Sequence, residues 1–570
     1  MKKFGFVLSF MVLFLFASFS VPANSAYYGN IPAKTLQIAK GIDFNYRNFN
    51  SKIVRVGIGS QSFSTYEWKN ATIYTTGEFQ LYNNETYIDT YNFQDEVNVS
   101  MVGKIFVLAD KDGNSIAKVS GPIIFKSENG FLGVKGLKRA GQNAVYRGNL
   151  ELVSTGKEGF FHIVNSLNVE EYLKGVVPNE MPVRFGLEAL KAQTVAARNY
   201  VLSPRVKANP NYDVVDSVAS QVYFGANTEK ELSNRAVEET MGIVATYNWD
   251  LILAQYSSTA GGYTENYENA FSDPYTKAFP STSKPYLVAT PDYPEFGDLS
   301  NEEDARIFYK SSPMSFDQES PYYRWSREWT VDELQKEIQD HIAAQSAAGF
   351  VHPEVKKGEV IGKITAIKVI ERGKSGKIMK LQIQTEKGNY VAEKELVIRR
   401  LMTHKGKALP SANFVIDENS DENGNLTGIN ITGGGFGHGV GMSQFGAGYM
   451  ATKLNMPYEK ILQHYYKGIS LSTEPFILSS NTSQNHFTQT FFSKNNNVKL
   501  VVDNKYKVGY IDTKINDIEE KINLDKSKRL NKIDISNCVK NGFNTIEFFY
   551  PASEHNKGLR IYIELAGSDD

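Results

Sequence analysis

One carboxylate stands in a short block that is rich in glycine and proline. Glu180 lies between Pro178 and Pro182, and prolines on both sides restrict the backbone and disfavour a regular helix. We therefore expect the preceding helix to stop at Gly175 and Glu180 to lie in a fixed bend among apolar neighbours. Such surroundings raise the pKa of a carboxyl group, which suits a general acid. The alternative is an acidic residue near a helix start, where the helix dipole favours it.

A second block, Gly437–Ala447, holds one histidine inside a run of glycines. The run predicts a turn that opens a helix, with His438 shortly before the N-terminus of that helix. A histidine in that place can accept a hydrogen bond from a substrate or donate one to it. A purely structural histidine is the alternative.

An Ala-rich segment at 187–202 is the first element that we expect to position Glu180 and His438. Its apolar residues recur with the period of a helix, and it carries Gln193 and Arg198. Arg198 is a candidate for orienting Glu180 or for holding a polar substrate group through charge-assisted hydrogen bonds. A solvated helix residue is the alternative.

The composition predicts a folded chain of more than one domain. The 570 residues exceed the about 100–200 residues of one domain, and 41% of them are hydrophobic, enough to bury a core. With 62 Lys and Arg against 63 Asp and Glu, the chain lacks the basic excess typical of nucleic-acid binding, so we expect no nucleic acid as a partner. Cys538 is the sole cysteine, which excludes an internal disulfide.

The first residues have the pattern of an export signal. Lys2 and Lys3 precede an apolar stretch at 4–19, and small residues follow at 23–26. We expect residues 1–26 to be a signal peptide, with an uncleaved membrane anchor as the alternative. The protein would then be secreted or held at the cell envelope, and a single thiol fits a bacterial exterior.

The rest of the chain predicts an α+β fold in which antiparallel strands outweigh helices. We expect residues 27–50 to form a polar lead-in, 51–472 the main region that carries the candidate catalytic residues, 473–485 a Ser/Thr/Asn-rich linker, and 486–570 a small accessory β-sandwich. Within this plan, helices are expected near 331–346, 443–453 and 457–467, and a strand at 559–563.

Several motifs in their usual order resemble the stage II sporulation protein D family, also called SpoIID/LytB. They span roughly residues 50–475 and comprise Tyr146–Gly148, Leu173–Pro182, Glu188–Arg198, Gln221–Gly225, Ser258–Gly262, Pro321–Trp325 and His438–Ala447. The resemblance implies a lytic transglycosylase that cleaves peptidoglycan glycan strands, with Glu180 matching the family's catalytic glutamate. It also implies substrate-positioning roles for residues in the matching motifs, namely Arg198, Tyr256, Ser258, His438 and Gln444, with Gln193 as a further candidate.

The implied mechanism needs one carboxylate. As an acid, Glu180 protonates the glycosidic oxygen that leaves N-acetylmuramic acid, and as a base it then takes the proton of the sugar's own 6-hydroxyl. That hydroxyl closes on C1 and gives a 1,6-anhydro end. An internal nucleophile replaces the second carboxylate of ordinary glycosidases, which agrees with the absence of a paired acid beside Glu180 in the sequence.

The sequence departs from the family at one point. Members often carry a His-Cys pair before the position of Gln221, and some bind zinc nearby, whereas Ala219 and Ser220 stand here. We therefore predict no metal and no other cofactor. Two alternatives stay open: a non-enzymatic modifier that binds wall glycan and enhances a cell-wall amidase, and a C-terminal region that binds carbohydrate or serves only as an accessory.

Overall fold

A computed structural model describes residues 52–93, 95–127, 129–203, 208–481, 483–494, 497–551 and 557–566. The predicted signal peptide, 1–26, and the predicted lead-in, 27–50, lie outside these residues. Strands outnumber helices and most pair antiparallel, which confirms the α+β class. Among the described residues, none of the helices combines the length and the apolar character needed to cross a membrane.

Contacts divide the chain into two compact units. The first contains residues up to 179 together with parts of 205–229 and 488–490, and the second contains 180–204, 230–487 and 491–570. The predicted boundary at 473–485 therefore does not coincide with a boundary between units. The first unit holds helix α1 (Val169–Glu180), whose last residue opens the second unit.

The first unit consists of two sheets. Its strands are β1 (Ile53–Gly57), β2 (Asn70–Thr75), β3 (Phe79–Asn83), β4 (Thr86–Tyr91), β5 (Glu96–Val102), β6 (Ile105–Ala109), β7 (Ser115–Val119), β8 (Ile123–Lys126), β9 (Leu132–Arg139), β10 (Gln142–Tyr146), β11 (Asn149–Ser154), β12 (Phe161–Asn168) and β13 (Val214–Val215). The sheet orders are β13-β1-β12-β11-β8-β3-β4 and β10-β9-β2-β5-β6-β7. Alternating buried residues along β5 and β6 show the two-residue period of a sheet with one buried face.

Helix α1 is longer than the sequence predicted, so the expected stop at Gly175 is wrong. Gly175 lies inside the helix, where the ring of Tyr223 occupies the space that a Cβ would need. Pro178 lies inside the last turn, where only one backbone hydrogen bond is lost. The side chain of Asn179 donates to the carbonyl of Gly175 at 2.7 Å. This bond gives one of the last carbonyl groups of the helix a hydrogen-bond partner.

The helices after Glu180 are α2 (Leu187–Leu202), α3 (Glu231–Glu238), α4 (Tyr267–Ala270), α5 (Glu302–Ser311), α6 (Val331–Ala347), α7 (Glu395–Leu401), α8 (Gln444–Thr452) and α9 (Tyr458–Tyr465). Helices α6, α8 and α9 confirm the three predicted helices. The predicted start of α6 has a physical cause, because Thr330 and Glu333 form a complete capping box.

The strands after residue 230 are β14 (Ile243–Tyr247), β15 (Asp250–Leu251), β16 (Tyr256–Ser257), β17 (Trp325–Thr330), β18 (Val351–His352), β19 (Ile364–Arg372), β20 (Ile378–Thr385), β21 (Gly388–Glu393), β22 (Phe414–Ser420), β23 (Leu426–Gly433), β24 (Met442–Ser443), β25 (Ser470–Thr473), β26 (Phe476–Leu478), β27 (His486–Ser493), β28 (Lys499–Asp503), β29 (Tyr510–Ile515), β30 (Ile518–Asn523), β31 (Leu530–Asp534), β32 (Gly542–Phe549) and β33 (Leu559–Ala566). Sheets β17-β23-β22 and β18-β21-β20-β19 share a core with α6 and α7. Strand β33 confirms the strand expected at 559–563.

The last strand belongs to a sheet built from distant parts of the chain. Strand β33 lies between β25 and β28 in the order β15-β14-β25-β33-β28-β31, and β26 also pairs with it. The predicted linker therefore contains part of a strand pair, Phe476 opposite Ile561, and is tied into the second unit. Strands β29, β30 and β32 form a further antiparallel arrangement.

Helix α2 lies in the interior of the second unit. It packs against α3, α8, α9 and β14, and its alanines at 189, 192, 196 and 197 are fully buried. Small side chains allow neighbouring elements to approach the helix axis closely. Gln193 and Arg198 are consequently buried as well, at 0% and 1% exposure, so the helix brings two polar candidates into the interior.

Candidate functional site

Gln444 joins three of the predicted site residues. Its Nε2 atom donates to the backbone carbonyl of Glu180 at 2.9 Å and to Oε1 of Gln193 at 3.1 Å. Gln444 is the first residue of α8, Gln193 lies on α2, and Glu180 ends α1. One side-chain amide at the start of α8 therefore holds the end of α1 and the middle of α2, which lie 264 and 251 residues earlier in the sequence.

The segment after Glu180 is fixed at both ends. Met181 is fully buried, and a short 3-10 turn at Val183–Phe185 leads into α2. The ring of Phe185 packs edge-on against Phe445 of α8, with ring centres 4.9 Å apart. With its carbonyl held by Gln444 and its following turn held by Phe445, the backbone of Glu180 cannot shift independently of α8. The side chain of Glu180 is half-buried.

The glycine run reaches this place through a short parallel strand pair. Strand β16 pairs with β24, with Tyr256 opposite Met442 and Ser257 opposite Ser443. Gly441 has a φ of +70°, and a Cβ there would collide with the carbonyl oxygen of Gln255. Glycine is therefore required at this position, because the turn into α8 needs a left-handed backbone conformation and leaves no room for a side chain.

Tyr256 and Ser258 lie beside the glycine run. The backbone N–H of Phe445 donates to the carbonyl of Ser258 at 3.1 Å, and the hydroxyl of Ser258 lies 3.4 Å from that of Thr259. Both side chains are half-buried. The structure therefore places Tyr256 on the strand next to the segment that carries Gln444 and Ser258 directly after that strand, while their contact with a substrate stays a prediction.

His438 organises the loop in which it lies. Its Nδ1 atom accepts a hydrogen bond from the backbone N–H of Val440 at 3.0 Å, and its ring packs against Phe271 at 5.1 Å. Loss of hydration is the main cause that lowers the pKa of His438 to about 4, with the charge of Lys377 acting in the same direction and that of Glu395 opposing it. At neutral pH the imidazole is uncharged, which suits hydrogen bonding rather than proton donation as an imidazolium.

Arg198 lies on α2 and reaches strand β14. Its Nη1 atom donates to the carbonyl of Ile243 at 2.9 Å, and the side chain is buried. This contact gives Arg198 a part in docking α2 on the sheet. A role in orienting Glu180 or in holding a substrate group stays a prediction.

A buried chain of polar groups supports the start of α8, and sequence reasoning missed it. The hydroxyl of Ser443 accepts from Gly446 N–H at 3.3 Å, which caps the helix, and donates to Oδ2 of Asp317 at 3.2 Å. The same Asp317 oxygen accepts from the N–H of Gly261 at 2.7 Å. Asp317 lies 126 residues before Ser443, so no local pattern could connect them.

Among the described residues, none of the clusters of His, Cys, Asp and Glu has a composition that could hold a metal ion. The predicted absence of a metal and of other cofactors stays a prediction.

The sequence comparisons place the chain in a family. The pattern of the Stage II sporulation protein family matches residues 157–247, and a domain of unknown function (DUF8618) matches residues 273–441. The chain is 32% identical to the Stage II sporulation protein D of Bacillus subtilis (strain 168) over 325 residues, which cover 54% of this chain and 76% of that protein. The Stage II sporulation protein D of Bacillus amyloliquefaciens is also 32% identical, over 56% of this chain and 78% of its own length.

The chain thus belongs to the stage II sporulation protein D family. It is also 32% identical to the Amidase enhancer of Bacillus subtilis (strain 168) over 316 residues. That match covers 53% of this chain but 40% of the relative, which is a much longer protein. The family resemblance stated from the motifs is confirmed.

Proposed function

We propose that the protein is a peptidoglycan lytic transglycosylase with Glu180 as its acid and base. The observation that carries the proposal is the pair of hydrogen bonds from Gln444. They hold the backbone of Glu180 at a fixed position next to Gln193 and the glycine run. Membership in the stage II sporulation protein D family supports a role at the cell wall in sporulation. The substrate proposed is glycan already stripped of its stem peptides.

The proposed reaction proceeds in two proton transfers. Glu180 gives a proton to the glycosidic oxygen as the bond between that oxygen and C1 of N-acetylmuramic acid breaks. The carboxylate then takes the proton of the 6-hydroxyl, whose oxygen bonds to C1 and closes the 1,6-anhydro ring. General acid-base transfer contributes about 10²–10⁴-fold. Alignment of the sugar by a rigid site must supply the remainder, which is the part we assign to Arg198, Tyr256, Ser258, His438 and Gln444, supported by Gln193.

The test is the product. Purified protein is incubated with peptide-free glycan strands, and the fragments are analysed by mass spectrometry. We expect fragments that end in 1,6-anhydro-muramic acid. They are lighter than hydrolysis products by one water molecule, about 18 Da, because no water is added. Glu180→Gln keeps the shape and removes the acid, so it should abolish these fragments. Glu303→Gln, on the exposed face of α5, is the matched control and should cleave like the wild type.

A second candidate function is enhancement of a cell-wall amidase. The match to the Amidase enhancer favours it. In this case the protein binds wall glycan, the amidase is the partner, and Glu180→Gln retains the enhancing effect. Absence of 1,6-anhydro ends, combined with stimulation of an added amidase by both the wild type and Glu180→Gln, would decide for this second function.

We also propose that the protein acts outside the cytoplasm. The basic and apolar pattern of residues 2–26 supports a secreted protein or one held at the envelope by an uncleaved segment. The N-terminal sequence of protein recovered from the producing cells tests the proposal, because a start near residues 23–26 identifies a cleaved signal peptide and an intact start with membrane association identifies an anchor.

A further inference from the structure

Two short segments of the second unit meet beside the start of α8. The first is the loop at 258–262, which we call the site loop. The second, at 317–324, lies within residues 273–441, which match the domain of unknown function (DUF8618), and we call it the support segment. Both lie outside residues 157–247, which match the Stage II sporulation protein pattern. Their contacts therefore bear on what the region of unknown function contributes to the protein.

Gly261 of the site loop is held through both of its backbone polar groups. Its N–H donates to Oδ2 of Asp317 at 2.7 Å, and its carbonyl accepts from Nη1 of Arg324 at 3.0 Å. Its φ is +84°, and a Cβ there would lie 2.9 Å from the backbone of Gly434 and Gly435, so the glycine run packs against its third side. An acidic and a basic side chain of the support segment thus fix one peptide unit of the site loop.

A pair of hydroxyl groups adds a further link between the two segments. The hydroxyls of Thr259 and Ser320 lie 2.7 Å apart, and both side chains are buried. The N–H of Tyr322 donates to the same Ser320 oxygen at 3.1 Å, which fixes Ser320 within the support segment. The site loop is therefore held at residue 259 as well as at residue 261.

Asp317 also joins the site loop to helix α8. The Oδ2 atom that accepts from Gly261 accepts the hydroxyl hydrogen of Ser443 as well, at 3.2 Å. The oxygen of Ser443 in turn accepts from the N–H groups of Ala260 and Gly446, each at 3.3 Å. A hydroxyl group carries one hydrogen, and Asp317 receives the one of Ser443. Loss of this acceptor would leave the Ser443 hydroxyl and the Gly261 N–H buried without it.

These contacts require Asp317 to accept hydrogen bonds, and they do not require a proton from it. Two donors meet at its Oδ2 atom. Its Oδ1 atom lies 2.8 Å from the hydroxyl of Ser315, which lies 2.5 Å from Oδ2 of Asp292. An amide can reproduce this set, because its oxygen accepts from Gly261 and Ser443 while its N–H donates to the hydroxyl of Ser315. Asparagine should therefore replace Asp317, whereas leucine, which is of similar size, should not.

We propose that Asp317 and Arg324 are positioning residues for the site at Glu180, and that supplying them is one role of the region matching DUF8618. They hold the site loop against the first turn of α8, from which the carbonyl of Ser258 accepts a hydrogen bond. The same turn carries Gln444, whose side chain donates to the carbonyl of Glu180. The effect on catalysis rests on the proposed function, whereas the effect on the site loop does not.

The test compares two substitutions of Asp317 in the full chain. Release of 1,6-anhydro fragments from peptide-free glycan is measured and divided by the folded fraction from thermal unfolding. We expect Asp317→Leu to be slower by about 100-fold, the cost of a displacement of about 1 Å, and Asp317→Asn to cleave like the wild type. Asp112→Leu, at an exposed turn, is the matched control and should also cleave like the wild type.

A substitution of Arg324 tests the other side of Gly261. The guanidinium of Arg324 contacts the carbonyls of Gly261, Tyr323 and Phe308, and the compact ammonium of a lysine cannot reproduce this fork. We expect Arg324→Lys to cleave about tenfold more slowly per folded molecule, as loss of one charge-assisted hydrogen bond implies.

Hydrogen–deuterium exchange of the site loop gives a readout that needs no substrate. The amide of Gly261 donates to Asp317, so its protection from exchange should be lost in Asp317→Leu and kept in Asp317→Asn. Glu180→Gln should keep this protection although it does not cleave.

Three results would overturn the proposal. They are a wild-type rate per folded molecule in Asp317→Leu, an Asp317→Asn variant as slow as Asp317→Leu, and unchanged exchange of Gly261 in Asp317→Leu. If Asp317→Leu does not fold, a wild-type rate in Arg324→Lys rejects the proposal. Wild-type protein that releases no 1,6-anhydro ends rejects the proposed function instead, and the exchange of Gly261 then decides by itself whether Asp317 holds the site loop.

Discussion

Replacement of Gln444 by leucine tests whether one side-chain amide holds the site together. The change removes the hydrogen bonds to the carbonyl of Glu180 and to Gln193, each worth about 0.5–1.5 kcal/mol. It also leaves Oε1 of Gln193 without this partner in a fully buried place, which adds about 1–3 kcal/mol. We therefore expect Gln444→Leu to lower the free energy of unfolding by about 2–6 kcal/mol.

The effect on catalysis should exceed the effect on folding. A displacement of about 1 Å in a catalytic group costs about 100-fold in rate. We expect kcat for release of 1,6-anhydro fragments to fall by about that factor, because Gln444 positions Glu180 through its backbone. Thermal unfolding and fragment release are measured under the same conditions, so that the folded fraction is known.

A second substitution separates positioning from general damage. Gln193→Leu removes the other amide, and in the double variant the pair is replaced by two apolar groups, so the loss of stability should be smaller than the sum of the two single losses by about 1 kcal/mol or more. Gln345→Leu on α6 is the matched control. Additive losses, or a Gln444→Leu enzyme with wild-type kcat, would refute the reasoning.

Three further predictions concern buried groups. In the folded protein the pKa of Asp292 is raised from 3.8 to about 7. The contribution of Asp292 to the free energy of unfolding is therefore complete below about pH 4 and is lost as pH rises through about 7. The melting temperature of the wild type should fall accordingly between pH 4 and 8, and that of Asp292→Asn should lack this fall. The folded pKa of His438 is lowered from 6.5 to about 4, so its contribution is present above about pH 6.5 and lost as pH falls through about 4. His438→Asn should keep the contact to Val440 without this acid sensitivity, whereas His438→Leu should lose the contact and cleave poorly at every pH. Gly441→Ala should lower the melting temperature and abolish cleavage, since a side chain in this strained conformation costs about 1–3 kcal/mol before its collision is counted; a stable, active Gly441→Ala would contradict the backbone argument.

Elements with local causes were predictable from the sequence. Helix α6 begins at a capping box formed by Thr330 and Glu333, and α9 follows Pro457, which is typical of a helix start. In both cases the signal and the structure lie within a few residues of each other. The length of α1 was not predictable. Gly175 lies inside the helix because the ring of Tyr223 packs against it where a side chain would stand, and Tyr223 lies 48 residues further along the chain.

The C-terminal arrangement shows the same limit. The composition of 473–485 is typical of a loop, yet Phe476 and Leu478 pair with a strand more than 80 residues later. Pairing partners at that separation leave no trace in composition or periodicity. The sequence therefore predicted the strand at 559–563 but not its neighbours.

The candidate site divides in a similar way. Glu180, Gln193 and Gln444 were proposed from their motifs, and the structure joins them. The support beneath them was not proposed, because Asp317 stands in a stretch with no motif and acts through Ser443. Chemistry-bearing residues are found by type and spacing, whereas the groups that hold them are found by three-dimensional contact.

The position of β33 between β25 and β28 has a consequence for how the chain folds. Until residues 559–566 have left the ribosome, both neighbouring strands present unsatisfied backbone edges, which invite pairing with other chains. Completion of this sheet joins segments more than 300 residues apart along the polypeptide, since β14 lies in it as well, and closure over such separations is slow. A nascent chain of this protein therefore exposes these edges during the last part of its synthesis, and a nick ahead of the final strand would reopen the sheet long after folding.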